Sequence, residues 1–125
     1  MKLVVAVVDD DNRLLESMES LLESAGHDVR LFASAQELLA QCGFAEIDCL
    51  ISDISMPFMD GVELQRLAHA VRPELPVILI TGCDLTDTMM GSIHGSHGVF
   101  RKPFNGPELL SAVDKALAGG SNRKL

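Results

Sequence analysis

The protein has 125 residues, with 18 acidic and 10 basic side chains and a formal net charge of -8. A chain of this length forms about one domain and buries roughly two-thirds of its unfolded surface, so it can fold without disulfide or metal staples. The acidic excess opposes the electrostatic binding that basic domains make with nucleic acid, so we expect no direct nucleic-acid contact. No apolar run approaches the ~20 residues of a membrane span, and no secretory signal is apparent, which predicts a cytoplasmic protein.

Short apolar segments alternate with segments of helical period, the pattern of a parallel sheet that is covered by helices on both faces. Three of the apolar segments are almost free of polar residues, as central strands are: 3–8, 49–51 and 77–80. Two others, 29–32 and 99–100, are mixed or very short, which favours the edges of the sheet. The sequence therefore predicts an α/β fold with five strands, of which the second and fifth are outermost.

Helix boundaries are marked by capping signals. Three pairs place a capping side chain three residues before an acid, the signature of a helix start: Ser34 with Glu37, Asp60 with Glu63, and Asn105 with Glu108. Glycine readily adopts the left-handed conformation that commonly ends a helix, so we expect the first helix to end just before Gly26. A further helix over 86–93 is only weakly indicated, because the segment is rich in poor helix formers. Residues 119–125 are predicted to be a linker or disordered tail after a domain spanning 1–118.

The sequence disfavours disulfide bonds and a nucleotide-binding site. The three cysteines, Cys42, Cys49 and Cys83, are odd in number and form no CxxC pair, so we expect reduced, structural thiols. The glycine-rich nucleotide-binding patterns GxGxxG and GxxxxGK[ST] do not occur, which disfavours a nucleotide cofactor.

Polar side chains follow four of the predicted strands. The first strand stops at Asp9-Asp10-Asp11, the third at Asp53, the fourth at Thr81 and the fifth at Lys102. Ligands bind at this carboxyl edge in open parallel sheets. Clustered carboxylates repel one another unless a cation offsets their negative charge. Their oxygen atoms are ligands that suit Mg²⁺, and this ion normally also binds phosphate oxygens. The pattern predicts a Mg²⁺ and phosphate site, in which a carboxylate can also serve as nucleophile.

These residues resemble the receiver (CheY-like) domain of bacterial two-component response regulators, over residues 3–117. The motifs that carry the resemblance are Val7-Val8-Asp9-Asp10, the segment DISMPFMDG at 53–61, Ile80-Thr81-Gly82 and Lys102-Pro103-Phe104. The resemblance implies a flavodoxin-like, doubly wound sheet of order 2-1-3-4-5. It also implies a part in phosphorelay signalling rather than turnover of an external substrate.

The resemblance further implies how the phosphoryl group is accepted. Asp53 would take it from a phosphohistidine on a sensor histidine kinase or a histidine phosphotransfer protein. Asp10, Asp53 and the backbone carbonyl of Ser55 would bind Mg²⁺ directly, while Asp9 would act mainly through metal-bound water. Lys102 would pair with the phosphoryl group.

Other positions would bind the phosphoryl group or transmit its arrival. The Thr81 hydroxyl and the backbone N–H groups of Ser55 and Gly82 would complete the phosphoryl site, and a cis bond before Pro103 would orient Lys102. In the family, an aromatic side chain three residues before the lysine moves with the threonine. Here that switch position is Val99, which has no ring to display. The surface that switches would comprise 86–93, the fifth strand and the last helix, and we expect its first two parts, 86–93 and the fifth strand, to be unusually mobile before phosphorylation.

Several alternatives remain open. Asp9-x-Asp11 after an apolar strand also resembles the opening motif of haloacid-dehalogenase-type phosphatases, and a receiver-like fold can serve as a phosphorylation-independent interaction module. A fused effector domain outside these residues and a stand-alone receiver are both compatible with the sequence, as is a phosphorylation-dependent homodimer.

Overall fold

The computed structural model describes residues 3–41, 43–56, 58–82, 98–102 and 104–122. Within them, strands and helices alternate except where the undescribed residues 83–97 intervene. The strands are β1 (Val4–Val8), β2 (Asp28–Phe32), β3 (Cys49–Asp53), β4 (Val77–Thr81) and β5 (Gly98–Arg101). The helices are α1 (Asn12–Ser24), α2 (Ala35–Gln41), α3 (Gly61–Val71) and α4 (Gly106–Asn122).

The five strands form one parallel sheet in the order β2-β1-β3-β4-β5. The predicted α/β fold and its strand order are thus confirmed, with the mixed strand β2 and the short strand β5 at the edges. β1 pairs with β2 on one side and with β3 on the other, so successive strands are added in opposite directions from this point. This reversal opens a crevice beyond the carboxyl ends of β1 and β3, where doubly wound folds bind their ligands.

Side chains alternate between two cores, one on each face of the sheet. In β1, Val5 and Val7 pack with α1 and α4, whereas Ala6 and Val8 pack with α2 and α3. This alternation follows from the two-residue period of a strand. Cys49 is fully buried in β3, and this burial raises the pKa of its thiol to about 12. The structural role predicted for Cys49 is confirmed, while Cys42 and Cys83 lie outside the described residues.

The predicted helix starts are confirmed by hydrogen bonds. The backbone N–H of Glu37 donates to Ser34 Oγ, that of Glu63 to Asp60 Oδ1 and that of Glu108 to Asn105 Oδ1, at 3.2, 2.8 and 3.0 Å. Gly26 has a φ of 91°, as expected after the end of α1. α2, α3 and α4 therefore begin where their capping side chains predicted.

Some predictions concern the end of α4 or residues that the structure does not describe. α4 continues to Asn122, past the predicted domain boundary at 118, so 119–122 are helical. The weak helix at 86–93, Pro103 and residues 123–125 lie outside the described residues. In the part of the chain that is described, no helix is both long and apolar enough to cross a membrane.

Candidate functional site

Backbone pairing brings the predicted site residues to one edge of the sheet. The Asp9 N–H donates to Phe32 O at 3.1 Å and so continues the pairing of β1 with β2. The Ile54 N–H donates to Ile80 O at 2.8 Å, and the Lys102 N–H donates to Thr81 O at 2.7 Å. These bonds hold the residues at the four strand ends in fixed positions around the crevice.

Three carboxylates converge there. Asp9, Asp10 and Asp53 each present a carboxylate oxygen within 4.8 Å of the other two. Asp9 and Asp53 are buried, whereas Asp10 is exposed. Neighbouring backbone groups orient the buried pair, because the Asp11 N–H donates to Asp9 Oδ1 at 2.8 Å and the Ser55 N–H donates to Asp53 Oδ1 at 3.2 Å. The carboxylate of Asp10 thus lies on the solvent side of the buried carboxylates of Asp9 and Asp53.

Lys102 joins the two buried carboxylates. Its Nζ lies 3.1 Å from Asp9 Oδ2 and 3.2 Å from Asp53 Oδ2. Burial raises the pKa of Asp9, although hydrogen bonds from the Asp11 backbone and from Lys102 lower it. Partial burial lowers the pKa of Lys102, but the hydrogen bond to Asp9 and the charges of Asp53 and Asp9 outweigh this effect and raise it. One ammonium thus faces two carboxylates, and the site keeps an excess of negative charge.

The residues present fit a hard divalent cation. All three side chains offer oxygen, which Mg²⁺ prefers, and their combined charge is only partly offset by Lys102. The exposed carboxylate of Asp10 leaves a path for water, several molecules of which Mg²⁺ normally retains. The acidic pocket can therefore bind a metal ion.

The excess charge predicts that Asp9→Asn stabilises the protein when no divalent cation is present. An aspartate whose pKa is raised by folding favours the folded state while protonated, and this contribution is lost as pH rises through the raised pKa. At neutral pH we expect the free energy of unfolding of the variant to exceed that of wild type by about 1–2 kcal/mol. This is the usual cost of a buried polar group whose partners do not fully compensate its burial. Urea unfolding with a chelator measures the difference.

The advantage of Asp9→Asn should shrink as pH falls through the raised pKa of Asp9, because the wild-type side chain then becomes neutral too. Asp11→Asn is the matched control, because Asp11 is an exposed N-cap and asparagine caps helices equally well. A variant less stable than wild type at neutral pH would show that the charge excess does not destabilise the fold.

The remaining predicted positions surround this cluster or lie apart from it. Thr81 is buried at the end of β4, one residue after the pairing of Asp53 with Ile80. Gly82 follows on the surface. Val99 packs on the α2 and α3 face, and Phe100 packs on the opposite face. Val99 and Phe100 thus face opposite cores, as the two-residue period of a strand requires.

Gly61 is a site-shaping residue whose role the sequence reasoning missed. A Cβ at this position would overlap the carbonyl oxygen of Asp53 and lie 3.0 Å from its carbonyl carbon. The Gly61 N–H donates to Ile54 O at 2.9 Å and draws the start of α3 onto the end of β3. Only a residue without a side chain allows this approach to the Asp53 backbone. The sequence shows Gly61 only as the last residue of the motif at 53–61, with no sign of this contact.

Phe58 is the second feature that was missed. It has a φ of 69°, the left-handed region that bulky residues rarely adopt. Its side chain is 94% exposed, so no core packing compensates for the strained backbone. The loop between β3 and α3 therefore carries a local cost at Phe58.

Relieving this cost should stabilise the protein. Asparagine tolerates the left-handed conformation, so we expect Phe58→Asn to raise the free energy of unfolding by about 1 kcal/mol. Phe58→Ala removes the ring without this tolerance and should give no comparable gain. Thermal or urea unfolding compares the two variants, and equal stability of both would argue against strain at this position.

Comparison with known proteins supports the resemblance to receiver domains. Residues 5–114 match the profile of the response regulator receiver domain. The response regulator protein TmoT of Ectopseudomonas mendocina is 37% identical over 115 residues, which cover 91% of this chain and 52% of that protein. The transcriptional regulatory protein FixJ of Bradyrhizobium diazoefficiens is 32% identical, over 90% of this chain and 56% of its own length. The chain thus spans about half the length of these relatives.

Solved structures agree with the sequence relatives. A CheY-like receiver domain protein from Methanospirillum hungatei has a TM-score of 0.89 and 30% identity, over 98% of this chain and 99% of that one. The phosphatase and the phosphorylation-independent module considered above are not favoured by these matches. Because the family profile covers most of its residues, the chain belongs to the response regulator receiver domain family, whose members act in phosphorelay signalling.

Proposed function

We propose that Asp53 is the residue that accepts the phosphoryl group. The observation that carries this proposal is the position of Lys102, whose ammonium bridges the carboxylates of Asp9 and Asp53 at the carboxyl edge of the sheet. Asp53 ends a fully buried central strand, and its neighbours Ser55 and Gly61 fix its side chain and its backbone. The carboxylate is thereby held in one orientation toward the crevice.

The proposed reaction is a transfer between two proteins. A carboxylate oxygen of Asp53 attacks the phosphorus of a phosphohistidine, an O–P bond forms and the N–P bond breaks. The leaving imidazole takes up a proton, and the product on Asp53 is an acyl phosphate. Lys102 offers a cation to the phosphoryl oxygens, and the Ser55 N–H, which now donates to Asp53 Oδ1, is placed to donate to them.

Asp9, Asp10 and Asp53, with the Ser55 carbonyl, are the groups that would hold Mg²⁺. When bound, the ion supplies positive charge that offsets the charge developing on the phosphoryl oxygens. The Thr81 hydroxyl and the Gly82 N–H would complete the phosphoryl site. Val99, with Thr81, would form the switch, and a cis peptide before Pro103 would direct Lys102.

Membership of the family supports a proposal for the biological setting. We propose a cytoplasmic receiver that a sensor histidine kinase or a histidine phosphotransfer protein phosphorylates, and that does not turn over an external substrate. The relatives TmoT and FixJ are about twice as long, and FixJ is named as a transcriptional regulatory protein, so we propose that a fused effector domain would carry any DNA contact. Phosphorylation would then act on the effector or on pairing of two receivers.

A small phosphoryl donor tests the proposal. After incubation with acetyl phosphate and Mg²⁺, intact mass spectrometry should detect one acid-stable, base-labile phosphoryl group, and a chelator should prevent its formation. If wild-type protein remains unmodified at saturating donor and Mg²⁺, the proposed function is wrong.

A further inference from the structure

We propose that Phe58 and the groove beside it form the docking point for the protein that donates the phosphoryl group, and that this donor brings an apolar side chain on a basic surface. The inference rests on the proposed function, because it concerns the partner of the same site. It assigns Phe58 to recognition of the donor protein and leaves the phosphoryl chemistry to the carboxylates and Lys102.

The exposure of Phe58 is the first observation. Phe58 is the most exposed of the large apolar side chains in the described residues, at 94%, and Val71 follows at 66%. The loop around Phe58 is anchored on both sides, because Asp53 Oδ1 accepts from Ser55 N–H before it and Asp60 Oδ1 accepts from Glu63 N–H after it. A loop whose backbone is anchored in this way loses little conformational freedom when a partner covers the ring.

The groove is the second observation. It has a volume of about 440 Å³ and is lined by Ala33, Ser34, Gln36 and Phe58. Ala33 directly follows Phe32, whose carbonyl accepts the Asp9 N–H, so the groove lies at the same edge of the sheet as the carboxylates. A protein whose phosphohistidine reaches Asp53 from this edge passes close to the ring and the groove.

Charge identifies the chemistry of the occupant. Three of the chain segments that border the groove and the site, 9–11, 33–37 and 58–63, contain six charged residues, and all six are acidic: Asp9, Asp10, Asp11, Glu37, Asp60 and Glu63. Lys102, the cation nearest Asp53 in the described residues, already faces two carboxylates. Four of the six, Asp11, Glu37, Asp60 and Glu63, are outside the proposed Mg²⁺ site and keep their charge when the ion is bound. A partner that covers this edge is therefore expected to supply positive charge around its apolar contact.

Two phosphoryl donors separate docking from chemistry. The protein donor is the autophosphorylated fragment of a sensor histidine kinase, chosen from those of the source organism as the one that transfers fastest to wild-type protein, and the small donor is acetyl phosphate. We expect Phe58→Asn to raise the KM for the kinase fragment about 10-fold, as loss of an aromatic contact at the centre of an interface does. The rate with acetyl phosphate should stay within about twofold, because the substitution leaves the carboxylates and Lys102 in place.

Matched variants make the result specific. Phe58→Tyr keeps the ring and should transfer with the wild-type KM. Val71→Asn changes an exposed apolar residue at the far end of α3, about 15 Å along the helix from the site, and should have no effect. Because the contact is charge-complementary, the wild-type KM should also rise with ionic strength.

Each contrary result has a defined meaning. An unchanged KM in Phe58→Asn overturns the docking proposal, and so does an equal loss with both donors, which would mean a distorted site. Labelling by acetyl phosphate without transfer from any kinase fragment also counts against it. If acetyl phosphate itself fails to label the wild-type protein, the proposed function has failed instead.

Discussion

Asp53→Asn is expected to abolish phosphoryl uptake from acetyl phosphate while leaving the protein folded. The amide is nearly the same size as the carboxylate and keeps an oxygen to accept the Ser55 N–H, which is 3.2 Å from Asp53 Oδ1 in the wild-type protein. It lacks the negative charge that makes the carboxylate a nucleophile. Lys102 retains Asp9 as a partner, at 3.1 Å. Intact mass spectrometry after incubation with donor and Mg²⁺ measures the loss.

Asp60→Asn provides the matched control for this substitution. Asp60 caps α3 through a 2.8 Å bond from the Glu63 N–H, and asparagine is an equally good N-cap. The control variant should therefore take up one phosphoryl group at close to the wild-type rate. Uptake by Asp53→Asn that matches the control would show that another residue is the acceptor.

Gly61→Ala is expected to destabilise the protein by about 3 kcal/mol, near the upper end of the usual cost of overpacking. The added methyl group would overlap the carbonyl oxygen of Asp53 and lie 3.0 Å from Ile54 Cα, and both neighbours are backbone atoms of the strand end. Because backbone in a central strand cannot yield as a side chain can, α3 must move away from β3. Urea unfolding measures the loss, and slower phosphorylation of the folded variant would report displacement of Asp53.

Gly106→Ala is the corresponding control. A Cβ at Gly106 would lie 3.3 Å from Leu21 Cδ1, the end of a flexible side chain. We expect Gly106→Ala to change the stability by less than about 1 kcal/mol, since leucine can adjust its rotamer. If Gly61→Ala proves as stable as Gly106→Ala, the close packing of α3 on the Asp53 backbone is not a constraint.

Features encoded by neighbouring residues could be predicted from the sequence. The apolar runs identified the three central strands, and the capping pairs at Ser34, Asp60 and Asn105 located three helix starts. The strand-end position of Asp9 and Asp53 followed once the sheet was taken as parallel, because all carboxyl ends then meet at one edge. The opposite faces of Val99 and Phe100 in β5 likewise follow from the two-residue period of a strand.

Features that depend on distant contacts could not be predicted. That Lys102 would bridge Asp9 and Asp53 depends on the positions of three strands, and the sequence gives no distance between them. The contact of Gly61 with the Asp53 carbonyl depends on how closely α3 packs on β3. The left-handed conformation of Phe58 runs against the preference of its residue type, so local propensity pointed away from it.

The central claim is that Asp53 carries the phosphoryl group, and chemical trapping tests it most directly. Borohydride reduces an acyl phosphate to an alcohol, so reduction of the phosphorylated protein marks the modified aspartate as homoserine. Peptide mass spectrometry should then find homoserine at position 53 in wild-type protein that has been treated with acetyl phosphate and Mg²⁺. Homoserine at position 9 or 10, or at no position in protein that has gained a phosphoryl group, would contradict the account.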